Sequence, residues 1–98
     1  ARAGGITECL RIAAYAELRR VSIIPHCWSS DILVAATMHL ITALHDCPYL
    51  EFNAMDQPLR TNLLKEAIRP RDGIVHVPEG PGLGIELDEG ILSCYEVR

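Results

Sequence analysis

The sequence predicts an α/β fold in which helices alternate with parallel strands. Helical patterns at residues 7–20 and 30–45 are each followed by a short apolar run, Val21 to Ile24 and Tyr49 to Phe52. Apolar runs of that length, bounded by turn residues, are typical of buried strands. Two strands joined by a helix form a βαβ unit, whose right-handed crossover places both strand ends at one edge of the sheet.

The first helix is predicted by apolar side chains that recur at helical spacing. These side chains are Ile6, Cys9, Leu10, Ala13 and Ala16. Thr7 is a suitable N-cap, and the charge of Glu8 favours the first turn. Arg19 and Arg20 suit the C-terminal end of the helix dipole, so we expect the helix to end there.

The second helix is apolar on nearly every side over residues 30–45. A helix of this kind is buried on more than one side, and a domain of 98 residues has little room to cover it. We therefore expect neighbouring segments that this chain does not contain. Ser29, Ser30 and Asp31 stand at the start of the helix and are interpreted as its caps.

Beyond Phe52 the alternation of strands and helices stops. The predicted elements there are a short helix near residues 61–66, an edge strand at 74–77, a strand at 85–87 and a helical turn at 88–95. Asp72-Gly73 predicts a turn, and the cluster from Gly80 to Gly84 predicts another. A phosphate-binding loop is not favoured for this cluster, because no strand leads into it and no lysine completes it. We expect this tail to leave the layer of the first half and to pack on something else.

Composition and charge argue against several classes of function. The net charge is -4 and the arginines are scattered, which disfavours binding to nucleic acid. No apolar run approaches about 18 residues, so a membrane span is not expected. The four cysteines lie far apart, which disfavours a zinc site and a disulfide framework. With no signal-peptide pattern, these features predict a reduced cytoplasmic protein, and the lack of an initiator Met predicts a piece of a longer one.

His26 is the leading candidate for a catalytic residue. It follows Pro25 at the end of the first predicted strand, where active-site groups lie in parallel α/β proteins. A histidine there suits general acid or base chemistry, although a hydrogen bond to backbone would also explain it. Glu51 is expected at the neighbouring strand end, where it could bind a substrate oxygen, hold the imidazole, or form an ordinary salt bridge.

Trp28 and the three remaining histidines are weaker candidates. Trp28 is the only tryptophan, and both pocket lining and packing on a neighbouring loop remain open for it. His39 is predicted to be a core residue whose polar atoms are satisfied. His45 suits the C-terminal end of the second helix, and His76 is predicted to face solvent from a strand.

The ordered set of short motifs resembles the C-terminal portion of enolase-superfamily enzymes of the mandelate racemase and muconate lactonizing type. The matching motifs are Gly4-Gly5-Ile6-Thr7-Glu8, Pro25-His26, His39-Leu40, Pro48-Tyr49-Leu50-Glu51, Asp72-Gly73, Val77-Pro78 and Pro81-Gly82-Leu83-Gly84. The resemblance implies a fragment of a (β/α)7β, TIM-like barrel that carries a capping domain. Residues 1–52 would supply the last βα units of the barrel. Residues 53–98 would be the C-terminal tail, which packs on a capping domain that this chain lacks.

The resemblance also implies a chemistry, which is removal of the proton α to a carboxylate with the help of Mg²⁺. His26 matches the family's base or acid at the end of the seventh strand, and Glu51 matches a glutamate that binds the substrate carboxylate. An Asp that pairs with the histidine would fall before Ala1. The family's metal ligands lie on earlier strands, so no residue of this chain is predicted as a ligand, and the chain alone is expected to be inactive.

The parent enzyme implied by the resemblance is a homo-oligomer that acts on a small hydroxy acid or sugar acid. A sugar-acid dehydratase, which is a lyase, is the leading prediction. A racemase, an epimerase or a cycloisomerase, all isomerases, would share its first step. From a different class, a non-catalytic protein that associates through exposed apolar helices would also account for the second helix.

Overall fold

The computed structural model describes residues 2–97 of the chain. The regular elements are, in chain order, α1 (Ile6–Leu18), β1 (His26–Cys27), α2 (Asp31–Thr42), β2 (Glu51–Phe52), α3 (Pro58–Thr61) and α4 (Glu89–Cys94). The fold is therefore α/β, as predicted, with α2 as the crossover between two parallel strands. His26 pairs with Glu51, and Cys27 pairs with Phe52.

The strands are shorter and begin later than the apolar runs predict. Residues 21–25 belong to neither a helix nor a strand, so the prediction of a strand at Val21 to Ile24 is wrong. This segment is attached to the loop before β2 instead, since Ile23 N–H donates to Asp46 O over 3.4 Å and Ser22 Oγ donates to Asp46 Oδ2 over 2.7 Å. An apolar run becomes a strand only where its backbone finds a partner, and the run itself does not specify that partner.

The core of the described chain lies on α2. Val34, Ala35 and Met38 are buried there together with Cys27 of β1, and no residue of α2 before Thr42 is fully exposed. The predicted burial of this helix on several sides is confirmed. The helix ends three residues before His45, which is exposed.

Helix α1 packs on α2 through one half-buried face. Its N-cap is Gly5, which has a φ of 89°, and the predicted side-chain cap by Thr7 is wrong because Thr7 lies inside the helix. No residue of α1 is buried in the part of the chain that the structure describes. The apolar side chains on its outer faces, such as Ile12 and Leu18, remain exposed.

The tail forms few regular elements, although several of its apolar side chains join the core. Leu64 and Ile68 are buried against α2, and Val75, Leu83 and Ile85 pack around them. The tail therefore packs on the first half of the chain through these side chains, and the prediction that it leaves that layer is wrong for this part of it. Its predicted contact with a capping domain stays a prediction.

Most of the predicted tail elements are wrong in extent. The helix predicted near residues 61–66 is a single turn that ends at Thr61. The strand predicted at 74–77 is absent. Ile74 closes a tight turn by exchanging two backbone hydrogen bonds of 2.8 and 2.9 Å with Arg71 across Asp72-Gly73, and residues 75–77 have no regular structure. The strand predicted at 85–87 is reduced to one antiparallel bridge between Leu87 and Leu64.

The closing helical turn is confirmed as α4. Asp88 caps it, with Oδ1 accepting a hydrogen bond of 3.0 Å from Ile91 N–H. The preceding glycine cluster is a turn, as predicted. His39 connects that turn to α2, since Nε2 lies 3.1 Å from Leu83 O. The prediction that His39 is a satisfied interior residue is confirmed.

The backbone of Gly84 lies very close to Pro78 in this turn. Its φ is 66°, and a Cβ at this position would lie 2.7 Å from Pro78 O. A residue with a side chain would therefore be strained by its backbone and by collision. Among the helices of the described residues, none is long and apolar enough to cross a membrane.

Candidate active site

The two strands bring His26 and Glu51 side by side. The residues are directly paired in the ladder, and paired residues of neighbouring strands project to the same face of a sheet. His26 Nδ1 lies 2.6 Å from Glu51 Oε2. The side chains are 66% and 44% exposed, so a small molecule can reach both. The sequence placed these residues at the same edge, and the structure brings them into a hydrogen bond.

The hydrogen bond determines which ring nitrogen of His26 carries a proton. An ionised carboxylate only accepts hydrogen bonds, so Nδ1 must donate to Glu51. In the neutral imidazole Nε2 then has the free lone pair. An imidazole held in this way can accept a proton at Nε2, and a carboxylate at Nδ1 would stabilise the ring in its positively charged form.

Trp28 covers one side of the imidazole. Its ring is stacked on that of His26, with the centroids 5.8 Å apart and the planes inclined by 4°. Residues two apart in an extended segment lie on the same face, which explains how the two rings meet. Half of Trp28 is exposed. Of the two interpretations of Trp28, the contact with His26 favours the one in which it lines the site.

Cys27, between these two residues, points the other way. It is fully buried in the core against α2. Burial raises the pKa of its thiol, although a hydrogen bond with Thr37 opposes that shift. A thiol of raised pKa is a poor nucleophile. Cys27 is therefore part of the floor of the site and not of its chemistry.

A buried polar cluster lies beside the site, and sequence reasoning did not find it. Asp31, Asn53 and Arg60 are each at most 4% exposed. The interpretation of Asp31 as a helix cap is wrong, because its carboxylate lies 3.8 Å from Arg60 Nη1 and 4.0 Å from Arg69 Nη1. Arg60 stands among polar residues in the sequence, so no local pattern pointed to it as a buried partner.

The electrostatics of this cluster are unusual. Burial raises the pKa of Asp31, while the positive charges of Arg60 and Arg69 act in the opposite direction. The backbone N–H of Ile68 also lowers the pKa of Asp31, but no donor within the described residues reaches either carboxylate oxygen in good hydrogen-bonding geometry. Nη1 of Arg60 and Nδ2 of Asn53 are likewise without partners there. Buried charges without hydrogen bonds are costly, so the cluster depends strongly on the attraction between its members.

Metal coordination finds no support in the side chains of residues 2–97. No three His, Cys, Asp or Glu side chains among them lie close enough together to hold a metal ion. The Mg²⁺ that the resemblance implies does not fit any group of residues that the structure describes, and no chemical step is assigned to it.

Comparison with known proteins identifies relatives along almost the whole chain. D-galactarolactone cycloisomerase of Agrobacterium fabrum is 34% identical over 96% of the chain. Arabinonate dehydratase of Saccharolobus solfataricus is 30% identical over 97% of it. Among solved structures, the 3,6-anhydro-D-galactonate cycloisomerase of Zobellia galactanivorans superposes on 94% of the chain with a TM-score of 0.83 and 35% identity.

The chain spans only part of each relative. It covers 27% of the Agrobacterium protein, 25% of the Saccharolobus protein and 26% of the Zobellia chain. A complete barrel is therefore not contained in these 98 residues. The sequence profile of the enolase C-terminal domain-like family matches residues 1–91. The chain belongs to the enolase C-terminal domain-like family, among relatives that are sugar-acid dehydratases and cycloisomerases of the enolase superfamily.

Proposed function

We propose that the protein carrying these residues removes the α-proton of a sugar acid, and that His26 performs the transfer. The observation that carries the proposal is the 2.6 Å hydrogen bond between His26 Nδ1 and Glu51 Oε2 on two exposed side chains. This bond leaves Nε2 as the basic nitrogen. The names of the relatives support a sugar acid as the substrate class.

In the proposed first step the α C–H bond breaks and its proton moves to Nε2 of His26. The electron pair of that bond enters the substrate carboxylate and gives an enediolate. Glu51 accepts the Nδ1 hydrogen bond throughout and stabilises the imidazolium by its charge. In a dehydration, the β-hydroxyl then leaves with the proton returned from Nε2, so that one water is released.

The role proposed for Glu51 differs from the one that the resemblance implies. In the resemblance this glutamate binds the substrate carboxylate. The short hydrogen bond to the imidazole supports the other interpretation, in which Glu51 orients His26. Mg²⁺ and a homo-oligomeric state, both expected from the resemblance, remain proposals about the complete enzyme.

Cycloisomerisation is the second candidate, and two named relatives favour it. Both the Agrobacterium and the Zobellia proteins are cycloisomerases. Such an enzyme also begins by moving an α-proton, but it rearranges a ring and releases no water. The two outcomes are therefore separated by product mass, since a dehydration product is one water lighter than its substrate and a cycloisomerisation product is not.

The experiment is a screen of sugar acids and their lactones with the full-length protein in D₂O, in the presence of Mg²⁺. We expect deuterium at the β-carbon of a dehydration product, because the enol left by loss of the hydroxyl takes up a solvent proton there and the former α-carbon becomes a carbonyl carbon. Deuterium at the α-carbon is expected in any compound whose enediolate is reprotonated without further reaction. The His26→Asn variant should lower the rate about 10²- to 10⁴-fold, the usual contribution of a general acid or base. His76→Asn is the matched control, because His76 is exposed in the tail and should leave the rate unchanged.

An unaffected rate in His26→Asn would contradict the assignment of His26. A protein that neither exchanges α-protons nor turns over any compound in the screen would contradict the proposed activity. A stable assembly without turnover would then favour the non-catalytic alternative.

A further inference from the structure

Arg60 contacts the backbone and side chains around both strands of the candidate active site. Its Nε donates a hydrogen bond of 2.9 Å to Met55 O, in the segment that follows β2. Its guanidinium carbon lies 5.4 Å from the centre of the Phe52 ring. Phe52 is the next residue after Glu51. On the β2 side of the site, the Arg60 side chain thus makes both a hydrogen bond to the backbone and a cation–π contact with Phe52.

The same guanidinium reaches the β1 side. Its Nη1 lies 3.8 Å from Oδ1 of Asp31, which is the first residue of α2 and follows Trp28 by three positions. Asp31 is completely buried and Arg60 is 4% exposed, so the attraction between them is little screened by water. One buried side chain therefore connects the segments that leave both strand ends.

The strand pair needs such a connection. Its ladder is only two residues long, and it is the part of the described sheet that holds His26 opposite Glu51. A pair of strands that short is marginal without support from packing. The His26–Glu51 hydrogen bond is itself on exposed side chains and contributes little to holding the backbone.

We propose that Arg60, through Asp31 and Met55, is a positioning residue that keeps His26 and Glu51 at hydrogen-bonding distance. This inference extends the proposed function, because it concerns the same His26–Glu51 pair. It assigns no contact between Arg60 and substrate. The planar fork of the guanidinium matters for this role, since a lysine keeps the charge but cannot reproduce the Nε donor and the ring contact together.

The test uses Trp28 as a reporter of the His26 ring. Position 28 of the full-length protein is labelled with 5-fluorotryptophan by site-specific incorporation, and the ¹⁹F resonance is recorded for each variant. His26→Asn defines the position of the resonance without the stacked imidazole. We expect Arg60→Lys to move the resonance from the wild-type position toward that of His26→Asn. Arg69→Lys, at the other oxygen of Asp31 and largely exposed, is the matched control and should leave it in place.

Kinetics give the second readout. In Arg60→Lys we expect kcat to fall at least tenfold with a smaller change in KM, because the proton-transfer pair is disordered and no substrate contact is lost. If the wild-type protein proves inactive, the proposed function fails while the ¹⁹F measurement still decides the positioning role.

A folded Arg60→Lys protein with the wild-type ¹⁹F resonance would overturn the proposal, as would an equal displacement in Arg69→Lys. If Arg60→Lys loses its far-UV circular dichroism, the double variant Asp31→Asn with Arg60→Met replaces it, since no unpaired buried charge remains. The same displacement is expected there, and its absence in that folded protein would equally overturn the proposal.

Discussion

At the scale of single residues, the hydrogen bond between His26 and Glu51 is the feature on which the proposed chemistry depends. Both residues project from paired ladder positions, and Trp28, the residue after β1, stacks on the imidazole. The three side chains were each candidates from the sequence. Their contact gives the histidine a defined tautomer, which no inspection of the separate residues could supply.

We predict that Glu51→Gln lowers the rate of α-proton exchange about 10²-fold or more while substrate binding changes less. Glutamine is similar in size but can present either a carbonyl or an amino group to Nδ1, so the tautomer is no longer enforced. It also lacks the charge that stabilises an imidazolium. Single-turnover kinetics in D₂O measure the effect, and the Glu8→Gln variant on α1 is the control. A Glu51→Gln enzyme with normal exchange would show that the carboxylate does not orient His26.

At the scale of elements, the buried pair between Asp31 and Arg60 connects α2 with the segment after β2. Residues so far apart in sequence are brought together because α2 crosses over the strand pair. The pair has no hydrogen bond between its members, so its contribution is electrostatic and depends on both charges being present.

We predict that Arg60→Met lowers the free energy of unfolding at neutral pH by about 3 kcal/mol, because Asp31 then loses its buried partner and keeps only the more exposed Arg69, 4.0 Å away. The double variant Asp31→Asn with Arg60→Met should be more stable than Arg60→Met alone. Urea unfolding of the wild type, Asp31→Asn, Arg60→Met and the double variant measures the free energy of unfolding of each protein. A double variant less stable than Arg60→Met would contradict the account.

The pH dependence of the same variants follows from the raised pKa of Asp31. Its ordinary value is 3.8, and burial makes the folded protein hold the proton more tightly than the unfolded chain. Stability therefore falls as the pH rises through the interval above 3.8, and is recovered as the carboxylate is protonated at lower pH. Arg60 holds this pKa down, so we expect the penalty of Arg60→Met to shrink toward acid pH. A penalty that is constant from neutral to acid pH would be inconsistent with an ionised Asp31.

The turn before α4 offers a matched pair of glycines. Gly82 and Gly84 both have a φ of 66°, but a Cβ lies in open space at Gly82 and 2.7 Å from Pro78 O at Gly84. Gly82→Ala should cost about 1–2 kcal/mol from the left-handed backbone alone. Gly84→Ala should cost a further amount of about 1–3 kcal/mol for the collision. Thermal unfolding compares them, and equal losses would show that the turn relaxes freely around Pro78.

At the scale of the whole molecule, much apolar surface is left uncovered. Helix α1 contributes Ile12, Tyr15 and Leu18 to it, and Tyr49 lies exposed before β2. So many exposed large apolar side chains on one short chain are typical of a protein that packs on further polypeptide. The 98 residues cover 27% of the Agrobacterium relative, and the remaining part of such a protein would supply the polypeptide that covers these faces.

We predict that the polypeptide made by the source organism has a mass several times 10.8 kDa. A barrel of this kind needs roughly 250 residues, and the exposed faces of α1 would be covered by its neighbouring units. Intact-mass measurement of the natural protein under denaturing conditions tests this. A mass of 10.8 kDa would contradict the parent enzyme, and the search for function should then turn to association through those faces.

The local pattern was sufficient for the order of helices and strands as far as Phe52 and for the candidates of the site, but not for the tail. Helical periodicity predicts α1 and α2 because a helix repeats within a few residues, and the handedness of the crossover places His26 and Glu51 at one edge. The family resemblance was also predicted from short motifs in order, and the match of the family profile to residues 1–91 confirms it.

Only the tertiary structure decided where the strands pair and which polar groups meet. The apolar run at Val21 to Ile24 has the composition of a strand, yet the ladder begins at His26, because a strand exists only where a partner's backbone is in reach. Asp31 resembles a helix cap, yet it is buried beside Arg60. Both outcomes depend on contacts between distant parts of the chain, and no pattern confined to neighbouring residues contains them.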